Sequence, residues 1–343
     1  MAIAAKPTAT NAGRVPATAR PARYRAHRAL IAAGRLLVAF VPVFVLGTFF
    51  TFLLGTVSGL NPAAIQLGEA ATPQAVHALN RQWGLDRPFF VQYFDWFGHV
   101  LAGNLGNSWE NGNSVSSLLA GRAIISLSAA GLALLIGIVA GFALGALAAH
   151  YQSTWIDRVV TIFTSTISVL PPFIVGVMLI DVFAVWMHWL PAAGYVPLAA
   201  GFEPWLSHII LPALALSLDT VADVTRQLRV GLVTAGRQNY VVGAVVRGLP
   251  GRRIFFVHVL RNGAGPALAV LGLKFPSLLG GAVVTEAIFQ LSGYGVFAAQ
   301  SAIKGDVPAV QAVLVVSVFV VVIFNMLVNV ILTRLIPAAS RGV

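Results

Sequence analysis

Long apolar runs separated by short polar breaks fill most of this chain. Six runs reach the roughly 20 residues that a helix rising about 1.5 Å per residue needs to cross about 30 Å of hydrocarbon. They cover about 36–57, 124–149, 159–186, 206–230, 264–289 and 309–335. The runs are continuous, unlike the ten-residue alternating segments of a transmembrane barrel. Hydrocarbon offers backbone groups no outside partner, so the pattern predicts an all-α polytopic membrane protein with six transmembrane helices. The third run contains Pro171-Pro172, which should kink or interrupt it. The second carries Gly131, Gly137, Gly141 and Gly145, the last three at four-residue spacing, which lets helices approach closely in lipid.

Between the first two runs, residues 88–101 read PFFVQYFDWFGHVL. Phe89, Phe90, Tyr93, Phe94, Phe97, Val100 and Leu101 recur at helical spacing, with Gln92, Asp95 and His99 on other faces. This predicts an interfacial helix whose aromatics sit at headgroup depth, compatible with a platform for an external partner. Pro88 suits the first helical turn and Asp86 is placed to cap it.

Composition agrees with the pattern. Of 343 residues, 58% are hydrophobic and 10% charged, far from a soluble domain. The chain has no Cys, which excludes disulfides and thiolate metal sites. A net charge of +11 would suggest nucleic acid in a soluble protein, but here its location explains it. Lys6, Arg14, Arg20, Arg23, Arg25, Arg28 and Arg35 precede or open the first run, and Arg237, Arg247, Arg252, Arg253 and Arg261 follow the fourth. The positive-inside bias puts both termini in the cytoplasm and residues 58–120, with the loops near 190–205 and 290–308, outside. The first run exceeds the 7–15 residues of a cleaved signal core, so it reads as a retained span. The expected organisation is a flexible basic tail over 1–34, suited to anionic lipid, a first span over 35–57, an external segment over 58–120 and a membrane core over 121–337 with a cytoplasmic loop at 236–262.

Ionisable residues inside the runs are costly and face a partner or a wet cavity. Asp181, Asp219, Asp223, Arg226, Lys274 and Glu286 are in this position. Asp219, Asp223 and Arg226 share one helix face, where Asp223 and Arg226 can pair directly. The plain reading of that pair is structural. Lys274 and Glu286 lie about 18 Å apart along a helix and cannot pair within it; they are candidates for a pore lining or an interface. Asn325 and Asn329, four residues apart, suit hydrogen bonds between helices. No phosphate-cradling G-x-x-x-x-G-K-[ST] loop is present, the seven histidines show no metal-ligand spacing, and no catalytic constellation is visible.

The most distinctive segment is 239–266, a basic, semi-polar island between two runs. Residues 240–247 suit a two-turn helix with Val241, Val242, Ala244, Val245 and Val246 as apolar contacts. Gly248 is placed to end it in a left-handed conformation, and Pro250 prevents continuation. Arg247 complements the helix dipole. So short a helix needs a binding surface; the alternative is a simple amphipathic loop lying on lipid.

The island resembles the cytoplasmic loop of binding-protein-dependent ABC importer permeases. Tyr240, Ala244, Gly248-Leu249, Arg253, His258 and Leu260-Arg261-Asn262 are similar to the dipeptide/oligopeptide/nickel branch. The resemblance extends through Gly84-Leu85-Asp86-Arg87-Pro88, Gln92-Tyr93, residues 103–108 (GNLGNS), Pro171-Pro172-Phe173, Leu211-Pro212-Ala213-Leu214, Glu286 and Gly293-Tyr294-Gly295. The GLDRP block looks like the first of two paired permeases. Val242 and Val245 depart from the branch, which more often has charged residues there, and Lys274 stands where a neutral polar residue is usual.

The resemblance implies a type I importer permease of the bacterial inner membrane, not itself an enzyme, with no cofactor on this chain and ATP and Mg on partner subunits. It implies a second homologous permease, two ATP-binding subunits and an external solute-binding protein, in a lipid bilayer and without nucleic acid. Tyr240, Val242, Ala244, Arg247, Gly248, Leu249, Arg253, His258 and Arg261 would then form the ATPase-coupling site. Dipeptides or short oligopeptides are the expected cargo; nickel complexes, opines and oligosaccharides are rivals within the branch. A stand-alone secondary transporter or channel is the rival of another class. It should show internal repeats and a midplane ion-coupling carboxylate, and it would leave the island unexplained.

Overall fold

The computed structural model describes the backbone over residues 22–335 and side chains over 40–332. The part of the basic tail over 1–21 lies outside the described residues.

Helix α1 runs Ala22–Val57, starting earlier than the boundary expected at 35. The segment between the first two long helices follows as α2 (Pro62–Leu67), α3 (Pro73–Trp83) and α4 (Phe89–Leu101). The membrane core begins with α5 (Val115–His150). The third run is a broken pair, α6 (Trp155–Ile167) and α7 (Pro172–Trp186), bent by 100° at the predicted diproline. Then come α8 (Phe202–Gly236), the short α9 (Asn239–Val246), a helical stretch α10 over 251–263, α11 (Gly265–Ile288), α12 (Tyr294–Ile303) and α13 (Val307–Leu335). Among the described residues, five helices are long and apolar enough to cross a membrane, and the α6–α7 pair brings the number to six.

The GLDRP block is a hinge between α3 and α4. Gly84 ends α3 in a left-handed conformation (φ 73°), and Leu85 N–H returns to Asn80 O. Pro88 is the N-cap of α4, one position before the first turn where it was expected, and Asp86 makes no cap. Gln92 braces the turn from within α4, donating to the carbonyls of Leu85 (3.1 Å) and Arg87 (2.7 Å). The next residue, Tyr93, is buried, hydrogen bonds Thr48 at 3.0 Å and meets Phe49 and Phe52 edge-on. The aromatic stripe of α4 is thus divided. One side packs on the C-terminal half of α1, while Phe90, Phe94 and Leu101 stay exposed.

The core is the α5–α8 contact. On α5, Gly137, Gly141 and Gly145 face Thr220, Val224 and Leu228 of α8, residue for residue along the four-residue repeat. A Cβ on Gly141 would lie 2.7 Å from Val224 Cβ. In lipid no hydrophobic force drives helices together, so this contact depends on dispersion at close range. Helices α7 and α11 complete the layer through Val175, Leu278, Phe289 and Leu291.

Candidate coupling site and intramembrane charges

Helix α9 has eight residues, ended by Gly248 in the left-handed region (φ 71°), where a side chain meets its own backbone. Arg247 Nε donates to Gly243 O at 3.0 Å and closes the last turn. Val241 and Ala244 are buried against the rest of the chain. Val242, Val245 and Val246 are 56%, 59% and 82% exposed. An apolar face bare on both turns of so short a helix is not self-supporting. Of the other residues expected at this site, Leu249 is half-buried, Arg253 and Arg261 are exposed, and His258 is half-buried in a widened π-helical turn over Ile254–Leu260.

One side-chain bond ties α9 to α10, and a second braces its partner. The Tyr240 hydroxyl bonds the Asn262 side chain, and Asn262 Nδ2 donates to His258 O at 2.7 Å. Partial burial raises the Tyr240 pKa, with the Asn262 bond acting the other way. Below this, α8 and α10 cross backbone on backbone. A Cβ on Gly231 would collide with Gly263 O, and one on Gly263 would stand 2.8 Å from Gly231 O. The two stems of the loop thus touch directly, and α9 is bonded to one of them. Asn262 belongs to the motif residues read in the sequence, but its link to Tyr240 and the Gly231–Gly263 crossing were not foreseen, since neither leaves a periodic signal.

The intramembrane charges fall into separate groups. Lys274 on α11 reaches across to α8, with Nζ 2.6 Å from Asp219 and 2.5 Å from Asp223, and Asp223 also takes Arg226 at 3.1 Å. The expected Asp223–Arg226 pair is present, and Lys274 joins it instead of standing alone. Two acids and two bases sum to zero, yet the Asp219 and Arg226 side chains remain 42% and 54% exposed. Asp219 stands seventeen residues from either end of α8, at mid-span. Such a group faces water or a partner, not hydrocarbon.

Glu286 is 1% exposed within this chain and joins helices. Its carboxylate accepts from the Ser126 hydroxyl of α5 and from Val296 N–H of α12 at 2.9 Å, while Ser126 Oγ accepts Tyr294 N–H at 2.7 Å. The charge is held at a helix N-terminus, where free N–H groups favour it. Gly293 and Gly295 are required by this, because a Cβ on either would press on the carboxylate. Asn325 donates along its own helix to Val321 O at 3.1 Å, Asn329 is exposed, and neither bonds another helix among the described residues. Asp181 is exposed on α7.

Two buried acids were missed. Asp157 makes a bidentate pair with Arg229 (2.5 and 2.6 Å), joining α6 to α8. Asp306 accepts from the Ser108 hydroxyl and from Trp109 N–H at 3.0 Å, tying the loop between α4 and α5 to the start of α13. For Asp306 a signal existed, an acid two residues before a proline at a helix start.

These features define a class, a polytopic helical membrane protein with a short, partly bare helix between two of its long helices. The binding-protein-dependent transport system inner membrane component family matches residues 141–341, and the N-terminal model of the same system matches 29–130. The chain belongs to this family. It is 33% identical over 303 residues to the probable peptide ABC transporter permease protein y4tP of Sinorhizobium fredii, covering 88% of this chain and 97% of that one. It is 29% identical to the glutathione transport system permease protein GsiC of Salmonella choleraesuis, covering 88% and 96%. Among solved structures, the inward-facing MetNI methionine ABC transporter superposes with a TM-score of 0.52 at 16% identity, covering 65% of this chain and 98% of that one. The fold is that of ABC importer permeases. A permease of this family is a non-catalytic membrane subunit of a larger transporter.

Proposed function

We propose that this chain is one of two paired pathway subunits of an ATP-driven importer of dipeptides and short oligopeptides. It takes cargo from an external solute-binding protein and docks an ATPase on α9. Two ATP-binding subunits and a second homologous permease complete the assembly in the bacterial inner membrane, with both termini cytoplasmic. The observation that carries this reading is the bare valine face of α9, a helix tied to α10 by the Tyr240–Asn262 bond. The names of the relatives favour a peptide cargo, and glutathione, a tripeptide derivative, is within that class.

At the site, Val242, Val245 and Val246 would enter an apolar groove of the ATPase, with Tyr240, Ala244 and Leu249 holding the helix in place. Arg247, Arg253, His258 and Arg261 would form its polar rim. ATP-driven closure of the motors would favour one of two packings of the permease pair, a population shift between states. The half-exposed Lys274–Asp219–Asp223–Arg226 cluster at mid-span would line the water-filled pathway.

The test is coupling. Gly248→Val costs about 1–2 kcal/mol at a left-handed position and distorts the end of α9, and Arg247→Glu reverses the rim charge. Each should lower peptide uptake per ATP hydrolysed in a reconstituted transporter while leaving membrane insertion intact. Unchanged uptake with unchanged hydrolysis in both variants would rule out α9 as the coupling element.

A further inference from the structure

At the end of α11 remote from α9, about 36 Å away along the helix, a cavity of about 350 Å³ opens between α5, α11 and α12. Its wall includes Arg122, Glu286, Gln290, Ser292, Phe297 and Gln300. The Arg122 guanidinium lies 4.1 Å from the centre of the buried Phe297 ring. The face of an aromatic ring orients a guanidinium without neutralising it. Among the described residues no carboxylate stands within ion-pair distance of Arg122. Glu286 shares the wall, but the Ser126 hydroxyl and Val296 N–H engage its oxygens.

A second observation concerns Gln290. It ends α11 with φ 50°, a conformation that usually selects glycine. The turn is closed by Leu291 N–H to Glu286 O at 2.8 Å and places Gln290 on the cavity wall. Gln290 and Gln300 bring amide donors, and Ser292 a hydroxyl, to the same cavity as the guanidinium. A fixed planar cation surrounded by neutral donors suits one ligand above others, a carboxylate taken in bidentate fashion.

We propose that this cavity receives the carboxylate of the cargo as it leaves the binding protein, with Arg122 as its charged contact and Gln290 and Gln300 as neutral donors. The inference rests on the peptide-importer reading above and adds to it a specificity element: cargo with a free carboxylate is favoured at the outer mouth. The mid-span Lys274 cluster, being internally neutralised, offers no such unpaired cation.

The experiment uses the complete transporter, both permeases with ATPases and binding protein, in proteoliposomes with radiolabelled dialanine and trialanine. Uptake and ATP hydrolysis are followed together. Arg122→Gln should lower uptake about tenfold, the worth of one charge-assisted hydrogen-bonded pair, while the binding protein still stimulates hydrolysis to within about twofold of the wild type. Gln300→Glu, at an exposed position, places an internal carboxylate beside Arg122 and should lower uptake in the same direction. Undiminished uptake in either variant overturns the inference. Loss of the stimulated hydrolysis in Arg122→Gln assigns the carboxylate to the binding protein and also overturns it. If the wild type itself carries neither peptide, the peptide reading fails first and takes this inference with it.

Discussion

At the scale of single residues, the molecule spends its buried polar groups on joints. Glu286 is the clearest case. A carboxylate among apolar helices is costly to bury, and it persists because two donors from different elements, the Ser126 hydroxyl and Val296 N–H, satisfy it. Glu286→Ala should strand both donors and destabilise the protein by about 1–3 kcal/mol per unsatisfied group. Glu286→Gln keeps one acceptor and should cost less. Thermal unfolding in detergent, followed by loss of the monodisperse peak on size-exclusion chromatography, ranks the two. Equal melting of Glu286→Ala and the wild type would contradict the joint. The residue itself was visible in the sequence as an intramembrane acid. Its purpose was not, because the donors sit 160 residues before it and ten after it.

At the scale of elements, close approach and charge pairing decide which helices touch. The α5–α8 contact was legible as a four-residue glycine repeat, though its partner was not. The Lys274 cluster illustrates the difference more sharply. Helix spacing gave the Asp223–Arg226 pair, since both lie on one helix. The Lys274 contacts to Asp219 and Asp223 cross from α11 to α8 and follow from how the two helices are rotated about their axes. Lys274→Gln should leave two carboxylates facing one arginine, and Asp219→Asn in the same chain should restore neutrality. A double-mutant cycle on folded yield in membranes should therefore show recovery, a coupling within the 0.5–3 kcal/mol range of contacting groups. Additive losses would mean that the cluster is not energetically linked. Likewise, Gly231→Ala should disturb the crossing with Gly263 more than Gly243→Ala disturbs α9, where nothing stands within 4 Å of the added carbon.

At the scale of the whole molecule, the proposed orientation puts residues 58–120 and the mouth cavity on one side of the membrane and α9 on the other. The chain has no native Cys, so single reporters can be read cleanly. With an impermeant maleimide on intact cells, Ala70→Cys should be labelled and Arg252→Cys only after permeabilisation. The reverse pattern would invert the arrangement and with it the assignment of α9 to an ATPase.

Sequence by itself determined the class, the apolar runs, the diproline break and the left-handed end of α9. These depend on local chemistry: length against bilayer thickness, the missing N–H of proline, and the freedom of glycine at positive φ. It gave the residues of the coupling segment as motif matches, without their anchoring. Tertiary structure alone decided which acid meets which base, that Glu286 joins α5 to α12, that Asp157 and Asp306 are buried and paired with donors, and that Arg122 lies on a ring with no carboxylate in ion-pair distance among the described residues. Those outcomes depend on the rotation and crossing of helices far apart in the chain, and no periodicity in one helix encodes the face its neighbour will present.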